Sequence, residues 1–159
     1  MLDVRGRLQE AGGIVWKDGS GWNYGRDGDP SAAEFDYYKE VDYCSGACLL
    51  LPTDLWRQLG GFDDRYAPAY YEDTDLAFAV RAAGRKVVYQ PRAVVVHLEG
   101  VSHGTDTGEG LKRFQEVNRL KFAAKWRATL DAEQSLGPAD LFRARDRSQR
   151  RLHVAIVDH

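Results

Sequence analysis

The sequence is short of cysteine and contains no long apolar run. Cys44 and Cys48 are the only cysteines among 159 residues, and no second pair or nearby histidine gives them the spacing of zinc ligands. We therefore interpret both as reduced, packed thiols. No stretch is apolar over the length that crosses a bilayer, and the first residues lack the basic and then apolar pattern of a secretion signal. The default expectation is a cytoplasmic protein, with the inner face of the membrane as the alternative location.

An excess of charge of either sign is also missing. Lysine and arginine together number 22, against 24 aspartates and glutamates, which gives a formal net charge of -2. This balance says little about partners, and we expect no nucleic-acid ligand. Hydrophobic residues make up 43% and charged residues 29% of the chain, as in an ordinary globular protein. A chain of this length can form one domain with a real core, but not two.

Carboxylates are concentrated in one short stretch. Glu72, Asp73 and Asp75 stand at the start of a segment whose apolar residues recur at helical spacing. The apolar face of this helix consists of Leu76, Ala79, Val80 and Ala83, and Gly84 marks its end. One interpretation is structural, because acids favour the dipole at a helix N-terminus, where Asp73 or Thr74 can act as the cap. The other is that one carboxylate faces a cleft as a general base, with Asp75 as a structural residue.

The segments around these acids follow a recognisable order. Gly60-Gly61-Phe62-Asp63 precedes them, the run from Ala82 to Pro91 ends the helix and begins a strand, and His97-Leu98-Glu99-Gly100 comes next. This succession, which extends from about Gly6 to about Trp126, resembles the acceptor half of inverting glycosyltransferases of family 2, which have the GT-A fold. The resemblance implies an α/β protein with a partial GT-A-like fold, in which helices flank a short mixed sheet. It also implies that the N-terminal nucleotide-binding half lies outside this chain.

The resemblance further implies a reaction and roles for individual residues. A sugar would pass, with inversion, from a nucleotide-diphosphate donor to a hydroxyl of a carbohydrate or lipid-linked acceptor, as in the synthesis of bacterial surface polysaccharides. Asp73 would be the base, Glu72 would position the acceptor or serve as the second candidate base, and His97 would help to hold Mg²⁺ or Mn²⁺ and the diphosphate. We expect the chain to be inactive by itself. The alternative function is a non-catalytic carbohydrate-binding or scaffold module.

A glycine-rich segment, 17–30, predicts a surface loop with two candidate contacts to a sugar. Trp22 and Tyr24 lie in its middle, where their rings either form a lid that stacks on the sugar or fold back into the core. The same loop contains Asp27-Gly28-Asp29, which has the letters of an Asp-x-Asp metal site. Because it follows the wrong strand for that site, we expect the main metal ligands outside this chain.

Three other residues complete the set of candidates. Tyr71 belongs to a tyrosine-rich segment before the acids. Either its hydroxyl orients an acceptor, or its ring forms part of the wall of the site. Ser102 and His103 lie in a second polar, glycine-rich loop, 99–110, which closes over phosphates in the enzymes that this chain resembles. Small residues at Ser45-Gly46-Ala47 either let the backbone approach a ligand closely or form a bulge in a buried strand.

The remaining expectations concern secondary structure and domains. Strands are predicted at 11–16, 37–44, 48–51, 86–89 and 93–97, and helices from Thr53, from Glu72 and over 111–127. The last helix is rich in lysine and arginine, so it faces either solvent or anionic lipid head groups, and peripheral membrane association is one expectation. We assign 1–130 to the acceptor-side half. A basic, helical linker and possible first strand of a following domain would occupy 131–159.

Overall fold

The computed structural model describes residues 1–98 and 113–150. Within this part, three short strands precede the first two α-helices, and a fourth strand separates these from the last three. The strands are β1 (Gly13–Val15), β2 (Gly21–Asn23), β3 (Lys39–Glu40) and β4 (Val88–Tyr89). The α-helices are α1 (Thr53–Leu59), α2 (Glu72–Ala82), α3 (Arg113–Lys125), α4 (Arg127–Glu133) and α5 (Leu141–Ala144). Short 3₁₀ turns occupy Gly46–Cys48, Asp64–Tyr66, Pro138–Asp140 and Arg147–Arg150.

The strands form two small antiparallel sheets, where a single mixed sheet was predicted. β1 pairs with β2, placing Ile14 opposite Trp22, and β3 pairs with β4, placing Lys39 opposite Tyr89. The segment predicted as one long loop, 17–30, therefore contains a strand. Gly13 of β1 forms an isolated antiparallel bridge with Tyr43, which follows β3, and this bridge links the segments of the two sheets. A side chain at Gly13 would collide with the Tyr43 ring, so the missing Cβ permits this close approach.

Two other predicted strands are wrong in the described residues. The segment 48–51 follows a 3₁₀ turn and is not buried, since Leu50 is 96% exposed. The segment 93–97 makes a single parallel bridge, between Val96 and Leu2. Both segments have the apolar composition of strands. In the described part of the chain, however, 48–51 pairs with no strand and 93–97 pairs only with Leu2, because composition alone does not supply a ladder.

The larger core cluster is built from the helices. Phe78 of α2 meets Phe122 of α3 edge to face, with ring centroids 4.8 Å apart. Leu130 of α4 is fully buried in the same cluster, together with Val41. A second cluster contains Leu8, Ala11, Ile14, Trp16, Tyr24, Phe35 and Ala144. Helical spacing thus predicted the burial of Leu76 and Val80 in α2, although Ala83, assigned to the same face, is exposed and Phe78 is buried. Phe62 is 42% exposed and packs edge to face against Trp56.

Asp75 connects α2 to α3, which confirms its structural interpretation. The Asp75 carboxylate is buried and accepts hydrogen bonds from the Tyr66 hydroxyl at 2.9 Å and the Trp126 indole Nε1 at 2.7 Å. Lys125 Nζ lies 2.7 Å from its second oxygen. The carboxylate is therefore fully engaged by protein groups, and it is not available for chemistry with a ligand.

The basic residues of α3 are used inside the molecule. Lys121 donates to the carbonyl oxygen of Arg65, and Lys125 contacts Asp63 as well as Asp75. Arg119 forks onto Glu116 and also reaches the carbonyl oxygen of Asp18. These contacts offset the positive charge of the helix locally. No helix within residues 1–98 and 113–150 has the length and apolarity to span a membrane.

The first part of the segment predicted as a linker is packed onto the rest of the molecule. Arg147 donates to Asp42 Oδ1 at 2.6 Å and to Glu133 Oε2 at 2.7 Å. The Gln134 amide donates to the carbonyl oxygen of Val15 at 3.0 Å, and Ala144 lies in the second core cluster. In the described range, residues 131–150 therefore form part of the same packed unit as the segment before them. The possible strand of a following domain lies outside the described residues.

Candidate functional site

The acids at the start of α2 are presented by an unusual turn. Tyr70 and Tyr71 have φ values of 72° and 75°, in the left-handed region that side-chain-bearing residues rarely adopt. Tyr71 occupies the N-cap position without capping through its side chain, so neither Asp73 nor Thr74 is the cap. Such residues cost on the order of 1–3 kcal/mol each and persist where surrounding contacts hold them.

Asn118, a fully buried residue of α3, supplies those contacts. Its side-chain Nδ2 donates to the carbonyl oxygens of Tyr66 and Ala69, both at 2.8 Å, and of Tyr70 at 3.0 Å. One amide group therefore satisfies three backbone acceptors in the turn before the acids. This arrangement fixes the direction from which the chain enters α2.

Tyr71 anchors the same turn to the β1–β2 hairpin. Its hydroxyl donates to the carbonyl oxygen of Gly19 at 3.0 Å and accepts from the Gly21 amide at 3.3 Å. The ring is buried against Phe122, and this burial raises the pKa of Tyr71 to about 12. Since both the ring and the hydroxyl contact protein groups, the geometry favours the alternative in which Tyr71 forms part of the wall over the one in which its hydroxyl orients an acceptor.

Asp73 lies over the Ser45–Gly46 turn. Its Oδ2 accepts the backbone N–H of Gly46 at 2.8 Å, and its Oδ1 accepts the N–H of Thr74 at 2.6 Å and the Thr74 hydroxyl at 3.2 Å. The side chain is half-buried, so the carboxylate remains accessible from solvent, and these hydrogen bonds restrict its rotation. Its Oδ2 retains a lone pair for a further donor. The backbone of the small residues at 45–47 contacts Asp73, and their predicted close approach to a ligand stays a prediction.

Glu10 is a second carboxyl beside the same turn. Its Oε1 accepts the backbone N–H of Ser45 at 3.1 Å, so Glu10 and Asp73 are bound by two consecutive amides. The residue is only 5% exposed, and Oε2 is buried without a hydrogen-bond partner in the described part of the chain. Burial, offset by the Ser45 bond and reinforced by the negative charge of Asp73, raises the pKa of Glu10 to about 7.

His97 is held by the residue next to Glu10. The Gln9 side chain donates through Nε2 to the carbonyl oxygen of His97 at 2.8 Å, and its Oε1 lies 3.1 Å from His97 Nδ1. The backbone N–H of His97 donates to the carbonyl oxygen of Leu2. The N-terminal segment therefore lies near both Asp73 and His97. Glu10 binds the amide next to the one that binds Asp73, and Gln9 contacts His97 directly.

The described residues do not form a metal site. No group of three or more histidine, cysteine, aspartate or glutamate side chains within 1–98 and 113–150 is arranged to hold a metal ion. Nδ1 of His97 is engaged by Gln9, which leaves Nε2 as the only ring nitrogen able to face a ligand. One imidazole nitrogen is far from a complete ligand set, so the described residues do not by themselves fit a Mg²⁺ or Mn²⁺ ion.

The other predicted contacts are divided by burial. Trp22 is 40% exposed and lies beside Trp16, with ring centroids 5.8 Å apart. Tyr24 is buried, and its hydroxyl donates to Glu34 at 2.7 Å, which agrees with the alternative that its ring folds back into the core. Glu72 is half-buried on the same helical turn as Asp73. Ser102 and His103 lie outside the described residues.

A comparison of sequences identifies the family of this chain. Residues 28–122 match the sequence profile of the family described as "Glycosyltransferase like family 2", which spans both Gly46 and the acids of α2. The chain therefore belongs to the family 2 glycosyltransferases, as the order of its motifs predicted.

The most informative relatives are two mycobacterial enzymes. N-acetylglucosaminyl-diphospho-decaprenol L-rhamnosyltransferase from Mycobacterium tuberculosis, strains CDC 1551 / Oshkosh and ATCC 25618 / H37Rv, is 33% identical over 128 residues. The match covers 76% of this chain and 41% of the relative. An uncharacterized protein, y4gI, from Sinorhizobium fredii is 32% identical over 96 residues, which cover 59% of this chain and 10% of that protein. No solved structure gives a significant match.

Several residues of this site were not predicted as part of it. Glu10 and Asn118 carry no local sequence signal, because each acts through contacts with segments that are distant along the chain. Gln9 also belongs to no local motif, although it binds His97, which is 88 positions away in the sequence. Only Gly46 had a local indication, since small residues interrupt an apolar run at that point.

Proposed function

We propose that the protein containing this chain transfers a sugar from a nucleotide-diphosphate donor to a hydroxyl acceptor, with inversion, and that Asp73 is the catalytic base. Membership of family 2 and the rhamnosyltransferase relatives support transfer of a sugar. The observation that carries the assignment of the base is the fixed, half-buried Asp73 carboxylate over the Gly46 amide. The chain spans about two fifths of the length of those relatives.

The geometry around Asp73 suits proton removal from an acceptor hydroxyl. The Gly46 and Thr74 amides fix the carboxylate plane, so no reorientation is needed when a substrate arrives. The acceptor oxygen forms a bond to the anomeric carbon as the bond from that carbon to the diphosphate oxygen breaks. The acceptor proton passes to Asp73, and the electron pair of the broken bond leaves on the diphosphate.

Neighbouring residues have supporting roles in this proposal. Glu72 follows the same turn and is placed to position the acceptor, and it is the second candidate for the base. The exposed Trp22 offers an aromatic face on which a sugar ring can stack. His97 would face the diphosphate through Nε2. The resemblance implies Mg²⁺ or Mn²⁺ as cofactor, which would neutralise the leaving diphosphate, with its main ligands outside the described residues.

The acceptor is proposed from the relatives. The name of the mycobacterial protein specifies an acceptor in which a sugar is joined to a polyprenol through a diphosphate. We propose an acceptor of this lipid-linked class, used at the cytoplasmic face of a membrane for surface polysaccharide. Because Arg119, Lys121 and Lys125 of α3 are engaged by protein groups, contact with the membrane would depend on other surfaces or on the acceptor itself.

Replacement of the proposed base tests the function. In the full-length protein, Asp73→Asn keeps the shape and loses the proton acceptor, so transfer to a diphosphate-linked acceptor should fall by about 10²–10⁴-fold. Asp54→Asn, at a fully exposed carboxylate of α1, is the matched control and should retain activity. Unchanged turnover in Asp73→Asn would exclude this base. Retention of sugar binding by a wild-type protein without any transfer would favour the scaffold alternative.

A second measurement concerns the chain by itself. We expect the 159-residue chain to show no measurable affinity for a nucleotide sugar in calorimetry with Mg²⁺ or Mn²⁺, because the nucleotide-binding half is expected outside it. Metal-dependent binding would contradict that expectation.

A further inference from the structure

Glu10 stands out among the buried groups that the proposed reaction does not use. It is one of the most deeply buried carboxyl groups of the described residues, and its Oε2 has no hydrogen-bond partner there. A buried carboxyl oxygen without a partner is costly, by about 1–3 kcal/mol. The Glu10 backbone is nevertheless held, because its N–H donates to the Met1 carbonyl oxygen at 3.4 Å.

The position of Glu10 relative to Asp73 indicates a purpose for this arrangement. Ser45 donates to Glu10 and the next residue, Gly46, donates to Asp73. The two carboxyl groups therefore accept hydrogen bonds from adjacent amides of one turn. A change in the position of Glu10 reaches Asp73 through two residues, Ser45 and Gly46. A change in its charge acts on Asp73 through the direct electrostatic repulsion between the two carboxylates.

We propose that Glu10 is a positioning residue for Asp73: it fixes the Ser45–Gly46 turn that holds the Asp73 carboxylate, and it places a second carboxyl beside that base. The inference rests on the proposed role of Asp73 and adds a residue to it. When Glu10 carries a proton, Asp73 is the sole negative charge of the pair. When Glu10 is ionised, its charge strengthens the attraction of Asp73 for the acceptor proton.

The change of charge at Glu10 falls within the range where such an enzyme works. Burial and the charge of Asp73 together raise the pKa of Glu10 to about 7. The groups that face Glu10 come from several elements, and no Lys or Arg side chain is among its principal electrostatic partners in the described residues. They are Asp73, Tyr43, Cys44, Tyr89 and the Met1 amino group. Among these, burial keeps the Tyr43 and Cys44 groups neutral by raising the pKa of each.

Glu10→Gln separates this role from a purely structural one. Glutamine keeps an oxygen that accepts the Ser45 N–H but carries no charge at any pH. In the full-length protein, the ratio of wild-type to Glu10→Gln kcat/KM should increase at least about threefold between about pH 6 and about pH 8, as Glu10 ionises in the wild type only. A ratio that stays constant over this range would overturn the proposal. Glu40→Gln, at a surface carboxylate paired with Lys86, is the control and should give a constant ratio.

A titration that does not depend on turnover keeps the proposal testable if Glu10→Gln folds poorly. In the 159-residue chain labelled with ¹³C at glutamate carboxyl groups, the Glu10 signal should titrate near pH 7, and Asp73→Asn should move its midpoint to lower pH. An unchanged midpoint would show that the two carboxyls do not interact, and would overturn the proposal. The role of Asp73 as the base fails separately, if Asp73→Asn retains transfer.

Discussion

The amide nitrogen of Gly46 lies 2.8 Å from Oδ2 of Asp73, although the two residues are 27 positions apart in the sequence. This bond brings the Ser45–Gly46 turn against the first turn of α2. It also orients the carboxylate that we propose as the base, so the turn and the acid act as one unit.

Removal of this single donor should disable the site with little effect on the fold. Ser45 has ψ of 138°, as a residue before proline requires, and Gly46 is the first residue of a 3₁₀ turn. Gly46→Pro is therefore compatible with the backbone but deletes the N–H and displaces Asp73. We expect kcat/KM for transfer to fall by about 10–100-fold. Gly46→Ala keeps the N–H, and its added Cβ would meet Asp73 at an ordinary 3.5 Å. Equal activity of the two variants would contradict the orienting role.

Asn118 should contribute strongly to stability. Asn118→Leu has a similar volume but leaves the carbonyl oxygens of Tyr66, Ala69 and Tyr70 without their donor. We expect the free energy of unfolding to fall by about 2–5 kcal/mol, measured by urea denaturation. Leu120→Ala, at an exposed position of the same helix, should cost less than about 1 kcal/mol. A loss in Asn118→Leu no larger than in this control would show that the turn is held by other contacts.

Lys39 should make stability depend on pH in the alkaline range. Its side chain is buried among Tyr24, Phe35, Tyr37 and Tyr89, with Nζ 4.6 Å from the centroid of the Tyr24 ring. Burial, reinforced by Arg145, lowers the pKa of Lys39 from 10.5 to about 8. Between these values the unfolded chain holds the proton and the folded chain does not, so unfolding takes up a proton. The free energy of unfolding therefore rises with pH across this window.

Replacement of Lys39 isolates this effect. In Lys39→Met the rise of roughly 1–3 kcal/mol between about pH 8 and about pH 10.5 should disappear, as measured by urea denaturation at several pH values. Lys86→Met, at an exposed lysine, should retain the wild-type profile. The same alkaline rise in wild type and Lys39→Met would assign it to other groups.

Arg147 should hold the C-terminal segment in place. Its guanidinium group spans Asp42, Glu133 and Gln134, and Asp42 is fully buried. Arg147→Met should lower the free energy of unfolding by about 2–4 kcal/mol, because Asp42 loses its closer cationic partner and keeps Arg81 at 3.5 Å. It should also increase proteolytic cleavage near Gly137. Arg143→Met, at an exposed arginine nearby, is the control, and equal sensitivity of both variants would argue against the clamp.

Prediction from the sequence succeeded where a pattern is local. The apolar spacing after Asp75 predicted α2 and the burial of Leu76 and Val80, but Ala83, assigned to the same face, is exposed and Phe78 is buried. Gly84 follows the end of that helix with φ of 75°. The succession of motifs from Gly60 to His97 predicted the family, which the sequence profile confirmed. Strands at 48–51 and 93–97 were wrong, because an apolar composition does not state whether a partner strand exists.

What the sequence determined by itself is the family, the presence of α1, α2 and α3, and the place of the acids at the start of α2, since all three follow from spacing over a few residues. Only the tertiary structure decided which side chains serve the site. In that structure Tyr24 and Tyr71 are buried among other protein groups. Glu10 and Gly46 lie beside Asp73, and Asn118 holds the turn before it. The physical reason is that hydrogen bonds between distant segments depend on how the chain packs, and no local periodicity encodes them.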